Sequence, residues 1–272
     1  MEDTREEFLH GPDRRHPPTM KPLPPKQNAR INGQTLEYII AGQGSPPLVL
    51  VNGAGGPIEG WFRVWEPLSA MGTVFAYNRP GIGGSGKPVV PQTGEVIVES
   101  LRALLLHAHL SPPYLLVGHS LGGLAVNLFA RSFPGEVSGV VLLDATAPED
   151  VSVMARHQGG FQRFAQRTLG ALFGKDELGE TEHVSHTVDL LQHAGPFPDV
   201  PLVVVTGGKP AMAWATPAQA LAARAEHQRG LAALSPQGKQ IIASRSGHFP
   251  QLTEPEIVVD AVRFVQARRT PS

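Results

Sequence analysis

Ser120 stands at the centre of Gly118-His119-Ser120-Leu121-Gly122, a Gly-x-Ser-x-Gly pentapeptide. The apolar run Leu115-Leu116-Val117 enters it, and Leu124, Ala125, Leu128 and Phe129 leave it at helical spacing. A strand that turns directly into a helix presents its central side chain on a sharp bend, and the flanking glycines supply room where a Cβ would collide. A serine hydroxyl is a poor nucleophile near neutral pH. Such a serine needs a base within hydrogen-bond reach, a group to orient that base, and donors for a developing oxyanion. Among eleven histidines, His248 in Ser246-Gly247-His248-Phe249-Pro250 is best placed as the base. It follows a strand-like run at 240–243 and precedes a helix beginning near Glu254, which puts it at the sheet edge where open α/β sheets bind ligands. His107, His109, His183, His186 and His193 are weaker candidates, and His119 is expected to pack or hydrogen-bond rather than react. The spacing of His183 and His186 would suit a metal, but no partnering ligand motif follows, so neither metal nor cofactor is expected.

The elements that must position these residues alternate from residue 28 onward. Strand-like runs lie at 35–41, 47–51, 73–77, 114–117, 139–143, 202–206 and 240–243, with helix-compatible stretches at 94–110, 121–133, 217–235 and 254–268. The first two strands are close in sequence and are expected to be antiparallel; the later ones are separated by crossover-length helices, which predicts a mostly parallel sheet covered on both faces. The core is expected to span 28–146 and 200–272. Residues 147–199 interrupt it after the strand ending near Leu143 and are expected to form a small helical cap. Residues 1–27, with Pro17-Pro18 and Pro24-Pro25, are expected to form an extended arm.

Composition narrows the function classes. The 272 residues are 41% apolar and 17% charged, with a net charge of −1 and a pI near 6.8. That balance offers no footprint for nucleic acid or an anionic membrane surface. The absence of cysteine excludes thiolate chemistry and disulfides. Neither a secretory signal nor an apolar run of membrane-spanning length is visible, so a cytoplasmic protein without a membrane span is expected, its oligomeric state left open.

With these landmarks the chain resembles the α/β-hydrolase family over roughly residues 30–268. The resemblance is carried by Gly118–Gly123 and Ser246-Gly247-His248, by Asn52-Gly53-Ala54-Gly55-Gly56, and by Asn78-Arg79-Pro80-Gly81-Ile82-Gly83-Gly84-Ser85. It implies the chain order Ser, acid, His, and oxyanion donors from the backbone N–H groups of Ala54 and Leu121. The family's usual acid position, after the strand at 202–206, holds no carboxylate here: Gly207 to Thr216 contains none. A minority of the family carries the acid after the preceding strand, where Asp144 stands, and Asp144 is the expected acid; Asp199, Glu149 and Asp150 are the alternatives. Two departures concern loop geometry: Asn52 replaces the usual His, and Asn78 the usual Asp.

A serine nucleophile excludes the family branches that use Asp to displace halide or open epoxides, and leaves acyl transfer. The resemblance therefore implies hydrolysis of a small to medium, partly apolar carboxylic ester, with Trp61, Phe161, Phe164 and Trp214 as candidate substrate contacts. Lactone, thioester, amide, perhydrolase and carbon–carbon bond chemistry on the same triad remain open, because each passes through a similar tetrahedral intermediate. A non-catalytic small-molecule-binding module is the alternative from a different class.

Overall fold

The computed structural model describes residues 22–151, 183–209 and 218–268. Eight strands form one sheet: β1 (Gln27–Ile31), β2 (Gln34–Ala41), β3 (Leu48–Val51), β4 (Val74–Tyr77), β5 (Tyr114–His119), β6 (Val137–Leu143), β7 (Leu202–Gly207) and β8 (Gly238–Ala243). Their order is β1-β2-β4-β3-β5-β6-β7-β8. β1 and β2 pair antiparallel, as do β2 and β4, and every other pair is parallel. The order reverses at β3, whose neighbours are β4 on one side and β5 on the other, and a crevice forms at such a point beyond the strands' carboxyl ends.

All residues of β3, β4 and β5 are buried, as strands covered on both faces must be. Side-chain alternation splits their apolar residues between two layers. Val49, Val51, Phe75, Leu116, Val140 and Val204 face α2 (Gly94–His107) and α3 (Gly122–Ser132). Leu48, Leu50, Val74, Val117, Val141 and Val205 face α1 (Phe62–Ser69) and, at the far end of the chain, the helix Pro255–Arg268. Between β6 and β7 lies α4 (Val184–His193), whose Val184, Val188 and Leu191 pack into the first layer beside α2 and α3. α5 (Ala218–Ala232) precedes β8, and the short α6 (Pro250–Thr253) leads into α7 (Pro255–Arg268). Among the described residues, no helix is long and apolar enough to cross a membrane.

The strands at 34–41 and 48–51 run in opposite directions, as expected, with β4 between them. Two expectations need correction. β1 was not expected: it is an edge strand in which only Ala29 and Ile31 face inward, so its apolar signal is two residues long. The arm boundary also moves. Lys26 is anchored by ion pairs to Glu37 at 3.1 Å and Glu59 at 2.7 Å, and Leu23 packs against the second layer. Of the expected cap, 152–182 lies outside the described residues.

Candidate active site

β5 runs straight into α3 through Ser120, whose φ of +51° lies in the left-handed region that side chains other than glycine rarely occupy. The chain tolerates this because close packing leaves no other path. A Cβ on Gly122 would strike the carbonyl oxygens of Val51 and Asn52 at the end of β3. The turn is held by Ser120 N–H donating to Leu143 O at 3.1 Å, and by Ser120 O accepting from Gly123 N at 2.9 Å and Thr146 N at 3.0 Å. Ser120 is thereby bound to β6 as well as to its own helix.

Asp144 follows β6 directly and is also left-handed, at φ +41°. Its Oδ2 accepts from His248 Nδ1 at 2.7 Å, and the His248 Nε2 lies 3.0 Å from Ser120 Oγ. An ionised carboxylate only accepts, so Nδ1 carries the ring proton and Nε2 is left to accept from the serine hydroxyl. Asp144 is 4% exposed. Burial alone would push its carboxyl up, but the His248 hydrogen bond, the Arg224 guanidinium and the Gly207 N–H outweigh it and hold it at about 2. Asp144 is therefore a carboxylate across the range in which proteins work. The structure thus brings Ser120, His248 and Asp144 into one hydrogen-bonded chain. The alternative acids lie elsewhere: Asp150 binds His227 at 2.6 Å, and Asp199 accepts from Gln237 at 2.9 Å.

Beside Ser120 lies the loop after β3. Gly53 abuts the serine so closely that a Cβ there would sit 2.8 Å from Ser120 Cβ and 3.3 Å from Oγ. Arg79, 4% exposed, donates to the carbonyls of Asn52 at 2.6 Å and Gly53 at 2.5 Å. Those carbonyls are thereby turned toward the guanidinium. Asn52 Nδ2 donates to Pro57 O at 2.7 Å and braces the loop from its other end. Among the described residues, the N–H groups of Ala54 and Leu121 donate to no protein acceptor.

Asn78, the second departure, has a local cause. Its Oδ1 accepts from Ile58 N at 2.8 Å, and its Nδ2 donates to Glu37 Oε2 at 2.6 Å. Burial opposes charge on Glu37, but bonds from the Gly84 N–H, Lys26 and Asn78 overcome it and lower its carboxyl below the ordinary value. An Asp at 78 would set a second negative charge against this one.

His119 is 2% exposed; burial is the main cause that pushes its imidazole down to about 3, so it is neutral. Its Nε2–H donates to the His248 carbonyl at 2.8 Å, and its ring lies 4.9 Å from that of His248 and 5.1 Å from that of Phe249. It tethers the loop that carries His248. No hydrogen bond joins His107, His109, His183, His186 or His193 to Ser120 or Asp144 among the described residues, and no metal-binding cluster of His, Asp and Glu occurs among them.

Trp61 is not placed as expected. Its side chain is 0% exposed within the second apolar layer, with Val64 and Leu68, so it packs the turn that leads into α1 onto the sheet and offers no surface to a ligand. Phe161, Phe164 and Trp214 lie outside the described residues. Two arginines near the site escaped the sequence reading. Arg79 stands within a motif that was noted for its glycines; Arg224 sits in a helix whose polar face was its only signal.

The sheet order, the strained serine after β5 and the histidine loop after β8 define an α/β-hydrolase fold. The family model for that fold matches residues 46–177, and the chain has the α/β-hydrolase fold. Among curated relatives, it is 32% identical over 145 residues to the dihydrolipoyllysine-residue acetyltransferase component of an acetoin cleaving system from Pseudomonas putida. That match covers 53% of this chain and 39% of the relative's own length. Among solved structures, the enol-lactonase from Burkholderia xenovorans LB400 has a TM-score of 0.68 at 20% identity, covering 89% of this chain and 100% of that one. A thermophilic esterase from Thermogutta terrifontis has a TM-score of 0.63 at 20% identity, covering 91% and 100%. At these identities the two structures show the shared fold alone.

Proposed function

We propose that the chain is a serine hydrolase that cleaves small to medium, partly apolar carboxylic esters through an acyl-enzyme. The observation that carries this reading is the hydrogen-bonded chain from Ser120 Oγ through His248 to Asp144, at 3.0 Å and 2.7 Å, with the loop at Gly53 packed against the serine. Ser120 Oγ attacks the ester carbonyl as its proton passes to His248 Nε2, and the carbonyl oxygen becomes an oxyanion held by the Ala54 and Leu121 N–H groups. The intermediate collapses; the alkoxide leaves with the proton returned by the imidazolium, and Ser120 keeps the acyl group. Water, deprotonated by His248, then attacks the acyl-enzyme, and its second collapse releases the acid and restores Ser120. Asp144 holds the imidazole in the required tautomer throughout.

The test is hydrolysis of short-, medium- and long-chain p-nitrophenyl esters by the wild-type protein and by Ser120→Ala, together with labelling by a fluorophosphonate. Wild-type turnover that disappears with Ser120, and stoichiometric labelling that needs Ser120, are expected. Folded wild-type protein that neither turns over nor is labelled would favour a binding module and overturn the proposal.

A further inference from the structure

We propose that Arg224 is a positioning residue: from α5 it fixes the Asp144 carboxylate and, by sharing the oxygen that His248 uses, makes the Asp144–His248 pair a weaker base. This rests on the reading of Ser120, His248 and Asp144 as a triad.

Arg224 Nη2 lies 2.6 Å from Asp144 Oδ2, the oxygen that accepts from His248 Nδ1 at 2.7 Å. The other oxygen, Oδ1, accepts from Gly207 N at 2.9 Å. Three donors from three different segments therefore set the orientation of one enclosed carboxylate. The helix that supplies Arg224 is unusual in how it docks. Only Gln228 and Leu231 of α5 are buried. Where an apolar stripe would ordinarily hold such a helix, Arg224, His227 and Gln228 stand at i, i+3 and i+4, on one face. All three grip the segment after β6. Gln228 Nε2 donates to Ala145 O at 2.7 Å, and His227 Nδ1 binds Asp150 Oδ1 at 2.6 Å, while Asp150 Oδ2 accepts from Ala147 N at 3.0 Å. An acid placed after β6 is thus held by a polar helix face built around it.

The charge has its own consequence. When Ser120 surrenders its proton, an imidazolium forms across Asp144 Oδ2 from a guanidinium, and two cations on one oxygen disfavour each other. Among the described residues the groups that face His248 are Asp144 after β6, Arg224 on α5, and Ser120 and His119 at the end of β5, with the Phe249 ring beside it. His119 is neutral, so among the described residues Arg224 is the cation paired with the acid that His248 uses.

The experiment follows kcat/KM for a p-nitrophenyl ester against pH in wild type, Arg224→Gln and Arg224→Lys, with circular dichroism to establish folding. NMR titration of the His248 ring in the same proteins reads the effect without turnover. Arg224→Gln is expected to move the acid limb and the ring titration to higher pH by roughly half to one unit, the effect of two unit charges about 6 Å apart at an effective dielectric of about 40 to 80. Arg224→Lys, which keeps the charge, is expected to stay near wild type. An unmoved ring titration in folded Arg224→Gln overturns the proposal; a merely structural Arg224 would lower kcat or stability and leave the titration in place. Failure of the triad reading is seen separately, as wild-type protein without turnover or Ser120 labelling.

Discussion

Asp144→Asn tests the acid assignment most directly, because every neighbour of that carboxylate is a donor. Oδ1 faces Gly207 N at 2.9 Å, and Oδ2 faces His248 Nδ1 at 2.7 Å and Arg224 Nη2 at 2.6 Å. An amide can keep its oxygen toward Gly207 only by turning its NH₂ toward His248 and Arg224. His248 must then accept at Nδ1 and carry its proton on Nε2, where it cannot take the Ser120 proton. The expected loss in kcat is about 10³- to 10⁴-fold, or about 4 to 5.5 kcal/mol of transition-state stabilisation, as for the same substitution in other serine triads. Stability responds in a defined pH window. The Asp144 carboxyl is held at about 2 against an ordinary value of 3.8, a depression that favours the folded carboxylate. That contribution, roughly 2 kcal/mol for so enclosed a group, is present above about pH 4 and is lost as pH falls through about 2. Urea titrations should therefore show wild type more stable than the variant at neutral pH, with the gap closing toward pH 2. The kinetic assay is p-nitrophenyl ester turnover by protein whose circular dichroism matches wild type. Folded Asp144→Asn with kcat within tenfold of wild type would refute the assignment.

Gly122→Ala places a methyl against the Val51 and Asn52 carbonyls, where only backbone movement could relieve it. A loss of about 3 kcal/mol in urea unfolding is expected, and a loss below about 1 kcal/mol would contradict the close approach. Arg79→Met releases the Asn52 and Gly53 carbonyls that the guanidinium now holds. Because the loop's N–H groups would act on the oxyanion and not on the ground-state ester, kcat is expected to fall roughly ten- to hundredfold with KM little changed. A change confined to KM would argue that Arg79 serves binding instead.

Much of the serine's setting is written within a few residues of it. A short apolar run, two glycines and a helical stripe specify a strand–turn–helix, because period and steric room are local properties. His248 was legible on similar terms, as a loop histidine between a strand and a helix. Asp144 was not: its candidacy came from the absence of a carboxylate at 207–216 and from family resemblance. The structure carries it to His248 because β5, β6 and β7 are adjacent and parallel. β1 stayed hidden because an edge strand needs only two inward residues, and the opposite directions of 34–41 and 48–51 were legible while the insertion of β4 between them was not, because nearness in sequence does not decide which strands become neighbours. Trp61 carried a binding-type side chain at a packing position, a distinction that burial alone makes.

The sequence by itself determined the alternation of elements, the sharp turn at Ser120 and the histidine loop, since each depends on spacing along a few consecutive residues. Only the tertiary structure decided that Arg224 meets Asp144, that Arg79 holds the Asn52 and Gly53 carbonyls, and that Asn78 answers Glu37. Those contacts join segments distant in the chain, and a polar side chain reveals its partner only when burial removes water as the alternative.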